Sequence, residues 1–98
     1  MQFVVVAHDG KNMLEKRMSV RPGHRENIAR RKAKGQVVIA GGILDDEGKM
    51  AGSVLVLDFE NRDQLDEYLA KEPYYTEHVW EDVRIDRYNA VVINNQSV

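Results

Sequence analysis

The sequence predicts an α+β domain in which strands and helices follow the order β-α-β-β-α-β. Short apolar runs, rich in β-branched residues and typical of strands, lie at residues 3–8, 36–44, 53–59 and 79–88. Segments with helical spacing separate the first run from the second and the third from the fourth. A polar turn at 45–49 joins the second and third runs as a hairpin. These observations predict the ferredoxin-like arrangement, an antiparallel sheet with two helices on one face.

The first helix is predicted to span residues 22–34. Pro22 suits the first helical position, where its missing N–H costs nothing. Gly35 follows as the residue that ends the helix in a left-handed conformation. Residues 13–17 are expected to form only one separate helical turn. This placement puts His24 in the first turn of the helix, beside free backbone N–H groups and the positive end of the helix dipole.

The second helix is predicted to begin at Asn61, because Asn61 and Gln64 resemble a capping box. It is expected to end before Pro73, since the residue preceding a proline is disfavoured in the α region. The fourth strand alternates apolar and charged residues. Residues 90–93 are expected to add a fifth strand, either at the sheet edge or exchanged with another copy.

Composition narrows the possible functions. The 98 residues fit one domain spanning 1–98, and the formal net charge of −2 gives no general attraction to nucleic acid or to an acidic membrane. The absence of cysteine excludes disulfides and thiolate metal sites. No apolar run approaches the ~20 residues of a membrane helix, and the first apolar run is interpreted as a strand rather than a signal peptide. We therefore expect a cytoplasmic protein without nucleic-acid or membrane partners.

The predicted topology gathers distant polar segments at one end of the sheet. These segments are 8–9, 21–24, 41–53 and 72–74. His24 is the candidate general acid/base, with Glu72 or Asp9 as its acidic partner. The candidate substrate-binding residues are Arg17, Arg21, Gly42, Ser53 and Tyr74.

A titratable imidazole, two guanidiniums and a helix N-terminus together favour anion binding and proton transfer. Two alternatives stay open. Arg17 and Arg21 could instead form ion pairs with neighbouring acids. His8, His24 and Glu72 could form a two-histidine, one-carboxylate metal site. The spacing of these three residues in the sequence does not require a metal site, so we predict neither a metal nor another cofactor.

The strands also predict a partner. The first three strands are apolar at consecutive positions, which is typical of a sheet buried on both faces. Two helices can cover only one face, so the other requires a second protein surface. We expect a homodimer packed sheet against sheet.

Residues 14–24, Leu-Glu-Lys-Arg-Met-Ser-Val-Arg-Pro-Gly-His, resemble the signature of the YciI-like family, also called YCII-related or DGPF-type domains. Asp9 after the first strand, Gly41-Gly42 and Pro73-Tyr74 are also similar to that family. The resemblance covers essentially the whole chain. Two residues depart from the family pattern: Glu72 replaces the usual aspartate before Pro73, and Arg25 follows the histidine where an apolar residue is usual.

The resemblance implies a ferredoxin-like fold, a dimeric α/β barrel and an active site with a histidine and an acid. It also implies lyase-type chemistry without a cofactor, such as dehydrochlorination of a hydroxylated aromatic. We therefore expect a lyase or isomerase acting on a small anionic, possibly aromatic molecule. The alternative is a non-catalytic ligand-binding or accessory module that uses the same pocket. Because glutamate is longer than aspartate, we expect Glu72 to lie near His24 with looser geometry.

Overall fold

A computed structural model describes residues 1–98. Its elements are β1 (Gln2–Asp9), α1 (Leu14–Ala33), β2 (Val37–Leu44), β3 (Met50–Asp58), α2 (Arg62–Ala70), α3 (Pro73–Thr76), β4 (Trp80–Tyr88), β5 (Val92–Ile93) and β6 (Gln96–Ser97). Strands β1 to β4 form one antiparallel sheet in the order β2-β3-β1-β4. This order is that of a ferredoxin-like sheet, so the predicted α+β fold is confirmed.

Alternation along the central strands separates a core face from an outer face of the sheet. Phe3, Val5 and Ala7 of β1 are buried on the core face beside Leu55 and Leu57 of β3. The helices cover this face, and the core cluster continues into α2. The intervening valines of β1 and β3 lie on the outer face, because successive side chains of a strand point to opposite sides.

The predicted start of the first helix is wrong. Helix α1 begins at Leu14, and Pro22 lies inside it, two turns from its beginning. Proline in a helix interior removes one backbone hydrogen bond, which is a local loss that packing of the preceding turns can offset. His24 therefore lies inside α1, and the free backbone N–H groups and the dipole end at the start of this helix are not beside it.

The other helix boundaries follow the predicted signals. Gly35 has φ +70°, and the N–H groups of Gly35 and Gln36 donate to the carbonyls of Lys32 and Arg31, which closes α1 as a Schellman motif. Asn61 caps α2 by accepting a hydrogen bond from the Gln64 N–H at 3.0 Å. Helix α2 ends before Pro73, as predicted.

Pro73 also begins the short helix α3, which was not predicted. Proline suits this first helical position because its missing N–H is not needed there.

A bulge in β4 changes the direction of Trp80. Asp82 pairs with His8, but Asp9 pairs with Trp80, so Glu81 is one extra residue on β4. Without this extra residue, alternation would send Trp80 to the outer face. With it, the indole points to the core face, where only 5% of the residue is exposed.

The chain beyond β4 forms a small hairpin and does not add the edge strand that was one of the two predicted alternatives, whereas the strand exchanged with another copy stays a prediction. Strands β5 and β6 pair only with each other. The Ala90 N–H donates to Gln2 Oε1 at 2.8 Å and ties this segment to β1. None of the helices has the length and apolar character needed to cross a membrane.

Candidate active site

Close packing between α1 and α3 brings the predicted histidine and acid together. A Cβ atom added at Gly23 would lie only 3.1 Å from Cγ of Pro73. Glycine at this position therefore lets α1 approach the start of α3 closely. His24 follows Gly23 and Glu72 precedes Pro73, so the same contact sets both side chains side by side.

Glu72 is the centre of this arrangement. It is 0% exposed, and its carboxylate accepts three hydrogen bonds. His24 Nδ1 lies 2.6 Å from Oε1, the Tyr68 hydroxyl donates to the same oxygen at 3.0 Å, and the Tyr74 backbone N–H donates to Oε2 at 3.0 Å. Buried carboxylates are stable only when their oxygens are matched by donors in this way.

The contact between Glu72 and His24 was predicted, but the expected looseness was wrong. The extra methylene of glutamate is absorbed because Glu72 caps α3 and folds back onto the Tyr74 N–H. We assign the hydrogen to Nδ1, since an ionised carboxylate only accepts hydrogen bonds. Nε2 then carries the free lone pair, and His24 lines a cleft at the surface.

Tyr68 is a site residue that the sequence reasoning missed. Burial raises the pKa of its hydroxyl, and the adjacent Glu72 carboxylate raises it further, so the group stays protonated and donates. Tyr68 lies near the end of α2, four residues before Glu72, and this spacing is the signal that could have indicated the contact.

A second buried network anchors α1 to the sheet. Arg17 Nη1 lies 2.9 Å from both carboxylate oxygens of Asp9, and Nη2 donates to Ser53 Oγ at 2.9 Å. The Trp80 indole, turned inward by the bulge, donates to the same Ser53 oxygen at 3.2 Å. The Asp9 carboxylate thus engages Arg17, whereas Glu72 engages His24. Ser53 is 1% exposed and does not line the cleft.

Tyr74 connects the two networks. Its ring stacks on the His24 imidazole with centroids 4.1 Å apart and planes at 21°. Cζ of Arg17 lies 4.3 Å from the same ring centroid, within the range of a cation–π contact. Burial raises the pKa of Tyr74, while Arg17 and Arg21 oppose that shift. The imidazole is therefore held by a hydrogen bond at Nδ1 and by a stacked ring.

The cleft beside His24 has a volume of about 410 Å³ and lies between α1 and β2. Its cationic lining residues are Arg17, Arg21, Arg25 and Lys32, and no aspartate or glutamate lines it. Arg17 is neutralised by Asp9, but the other three take part in no ion pair. Gly42 lies on the β2 side, where a Cβ would run into the Met50 thioether. The cleft is thus electropositive although the chain is not.

The three groups of the alternative metal site do not come together. His8 is exposed on the outer face of the sheet, opposite Asp82, whereas His24 and Glu72 lie on the helical side. The structure contains no group of three or more histidine, aspartate and glutamate residues placed to hold a metal ion.

The fold and this geometry define a ferredoxin-like domain in which a buried carboxylate contacts a partly exposed imidazole at a basic cleft. Residues 1–89 match the YCII-related domain. The chain therefore belongs to the YCII-related domain family, and the resemblance seen in residues 14–24 is confirmed.

Two bacterial relatives match this chain along nearly their full length. An uncharacterised protein of Haemophilus influenzae is 31% identical over 97 residues, covering 93% of this chain and 99% of that protein. Protein YciI of Escherichia coli is 29% identical over 97 residues, with the same coverage. Among solved structures, 5-chloro-2-hydroxyhydroquinone dehydrochlorinase (TftG) of Burkholderia phenoliruptrix AC1100, in complex with 2,5-dihydroxybenzoquinone, has a TM-score of 0.81 at 20% identity, covering 91% of this chain and 94% of that one. This likeness shows the fold.

Proposed function

We propose that this protein is a cofactor-independent enzyme of lyase or isomerase type that acts on a small anionic molecule. The observation that carries the proposal is the 2.6 Å contact between His24 and the fully buried Glu72 at the wall of an electropositive cleft. A fixed imidazole with one free nitrogen suits general acid/base chemistry. TftG, with the same fold, supports a hydroxylated aromatic as substrate class.

His24 is the catalytic residue in this proposal. Its Nε2 takes a proton from the substrate, and the electron pair left behind either expels a leaving group such as chloride or shifts a double bond. In the elimination, the proton and the leaving group depart together as HX. In the isomerisation, His24 returns the proton to a different atom of the substrate. Neither reaction is a net oxidation or reduction. Glu72 orients the ring and balances the charge of the imidazolium that forms.

Arg21 is the proposed anion-binding residue, because it lines the cleft one helical turn from His24 and has no acidic partner. Arg17, although it also lines the cleft, is committed to Asp9. We propose that Asp9, Arg17 and Ser53 are positioning residues that hold Tyr74 and α1 in place. Tyr74 supports the imidazole, and Gly42 makes room for the Met50 side chain at the β2 side of the cleft.

The function is tested with 2,5-dihydroxybenzoquinone as a binding probe and chlorinated hydroxyhydroquinones as substrates, with release of chloride as the measure of turnover. Chloride release dependent on the protein would support an enzyme. Saturable probe binding without turnover of these or related ring substrates would favour the alternative, a binding or accessory module.

Replacing Arg21 with glutamine is expected to weaken binding of 2,5-dihydroxybenzoquinone by about five- to tenfold. The substitution removes one ion pair in a partly shielded cleft, an interaction worth on the order of 1 kcal/mol. Absorbance or calorimetric titration measures the change. Arg30→Gln is the matched control, because Arg30 lies on the same helix outside the cleft. Equal effects of the two variants would contradict the assignment of Arg21.

The cytoplasmic location of the protein stays a prediction.

We also propose that the protein is a homodimer packed through the outer face of its sheet. A cavity of about 490 Å³ on this face is lined by apolar side chains of β1, β2, β3 and the C-terminal hairpin. Ile39 is 54% exposed and Val92 is 58% exposed there. Exposed apolar surface of this kind is typical of an interface.

Ile39→Glu is expected to shift the protein from a dimer to a monomer at micromolar concentration. A charge placed in the apolar contact would have to be buried without a partner. Light scattering gives the mass, and Leu14→Glu, an equally apolar exposed position on the helical side, is the control. A wild-type protein with the mass of one chain would contradict the dimer.

A further inference from the structure

The basic lining of the cleft extends well past the catalytic pair. Arg21, Arg25 and Lys32 all lie on the side of α1 that faces the cleft. At 100° per residue, the eleven steps from Arg21 to Lys32 return to within about 20° of the same direction. At 1.5 Å per residue, Lys32 lies about 12 Å along the helix from His24 and about 16 Å from Arg21. The lining of the cleft therefore extends about two turns of α1 past His24.

The cleft between these ends is apolar and open. Ile28 and Ala29 line it on α1 between Arg25 and Lys32, and Ala40 faces them from β2. Ala40 and Gly42 are small and exposed, and the Met50 thioether lies beside Gly42, so this side of the cleft is apolar. An apolar floor with cationic groups at both ends matches a ligand that has an apolar body and a charge at each end.

No acidic side chain balances the positive charge at the far end of the cleft. Lys32 lines the cleft, and neither an aspartate nor a glutamate is among the lining residues. An anionic ligand end would supply the missing counter-charge in a cleft that is shielded on two sides.

We propose that the cleft takes an elongated dianion, an aromatic or other apolar body with one negative group near Arg21 and His24 and a second group near Lys32. This inference rests on the proposed function, because it assigns the reacting end of the ligand to His24. Lys32 is then a specificity-determining residue that selects the second charge of the substrate.

The test compares two rigid probes, biphenyl-4,4′-dicarboxylate and biphenyl-4-carboxylate, which differ only in the second charge. A rigid spacer avoids the entropy lost when a flexible chain is ordered on binding. NMR titration of the wild-type protein is expected to give at least fivefold tighter binding of the dicarboxylate. In Lys32→Gln the two probes should bind within twofold of each other, with the affinity of the monocarboxylate unchanged.

Lys34→Gln is the matched control, since it removes the same charge two residues away but outside the cleft. It should preserve the preference for the dicarboxylate. Equal affinities of the two probes for the wild-type protein, or equal effects of Lys32→Gln and Lys34→Gln, would overturn the inference. The proposed function would still be supported if Arg21→Gln weakened binding of the monocarboxylate. If Arg21→Gln weakened the binding of neither probe, both the inference and the proposed function would be overturned.

Discussion

Replacing His24 with glutamine is expected to lower turnover by about 10²- to 10⁴-fold, because the substitution removes the proposed general acid/base. Binding of 2,5-dihydroxybenzoquinone should change by less than about threefold, since Arg21 remains. The measurement is steady-state kcat and KM for the substrate found by the chloride-release assay. His8→Gln is the control, because His8 is an exposed histidine on the opposite face of the sheet. Equal activity of His24→Gln and the wild type would contradict the mechanism.

Glu72 provides the companion test, because it acts through His24. The Glu72 carboxylate accepts hydrogen bonds from His24, Tyr68 and the Tyr74 N–H. In Glu72→Gln the amide NH₂ group, which only donates, would face one of these donors. This mismatch would lower stability by about 1–3 kcal/mol and leave the imidazole poorly oriented. We expect kcat to fall with little change in KM. The double variant His24→Gln/Glu72→Gln should be no less active than His24→Gln alone, since residues that act as a unit are not additive. Additive losses would mean that Glu72 acts independently of His24.

Replacing Arg17 with methionine is expected to lower the free energy of unfolding by about 3–5 kcal/mol, because it leaves the Asp9 carboxylate buried without its partner. Both side chains are only 5% exposed. Urea unfolding gives the change as a lower midpoint with an unchanged slope. Arg62→Met is the matched control, since it breaks an exposed ion pair with Asp66 that is worth about 0.3–0.5 kcal/mol.

The double variant Arg17→Met/Asp9→Leu separates pairing from packing. Removing both charges should restore part of the lost stability, because no uncompensated charge stays buried. A loss below about 1 kcal/mol in Arg17→Met, or no recovery in the double variant, would contradict the structural role assigned to this pair.

Much of the fold could be predicted from the sequence. The order of elements, the closure of α1 at Gly35 and the cap at Asn61 depend on local preferences of the backbone, which short stretches of sequence carry. His24 and Glu72 could be placed together because the topology and the family pattern brought 21–24 and 72–74 to the same end of the sheet. These features require no knowledge of which side chains pack.

The beginning of α1 could not be predicted this way. Proline is a strong local signal for a helix start, but Arg17, in the first turns, bonds Asp9 and Ser53 and packs on Tyr74. These contacts come from β1, β3 and α3, so they exist only in the folded chain. Their combined stabilisation exceeds the loss of one hydrogen bond at Pro22, and the helix continues through it.

The sequence by itself therefore determined the arrangement of the helices and strands and the residues that could take part in binding or catalysis. Only the tertiary structure decided which acid bonds His24, because Asp9 and Glu72 lie at the same end of the sheet and differ in the side chains that they contact. The inward turn of Trp80 was decided in the same way. Each depends on side-chain packing between segments that are distant in sequence or on a single extra residue in a strand. Local preferences do not encode such contacts.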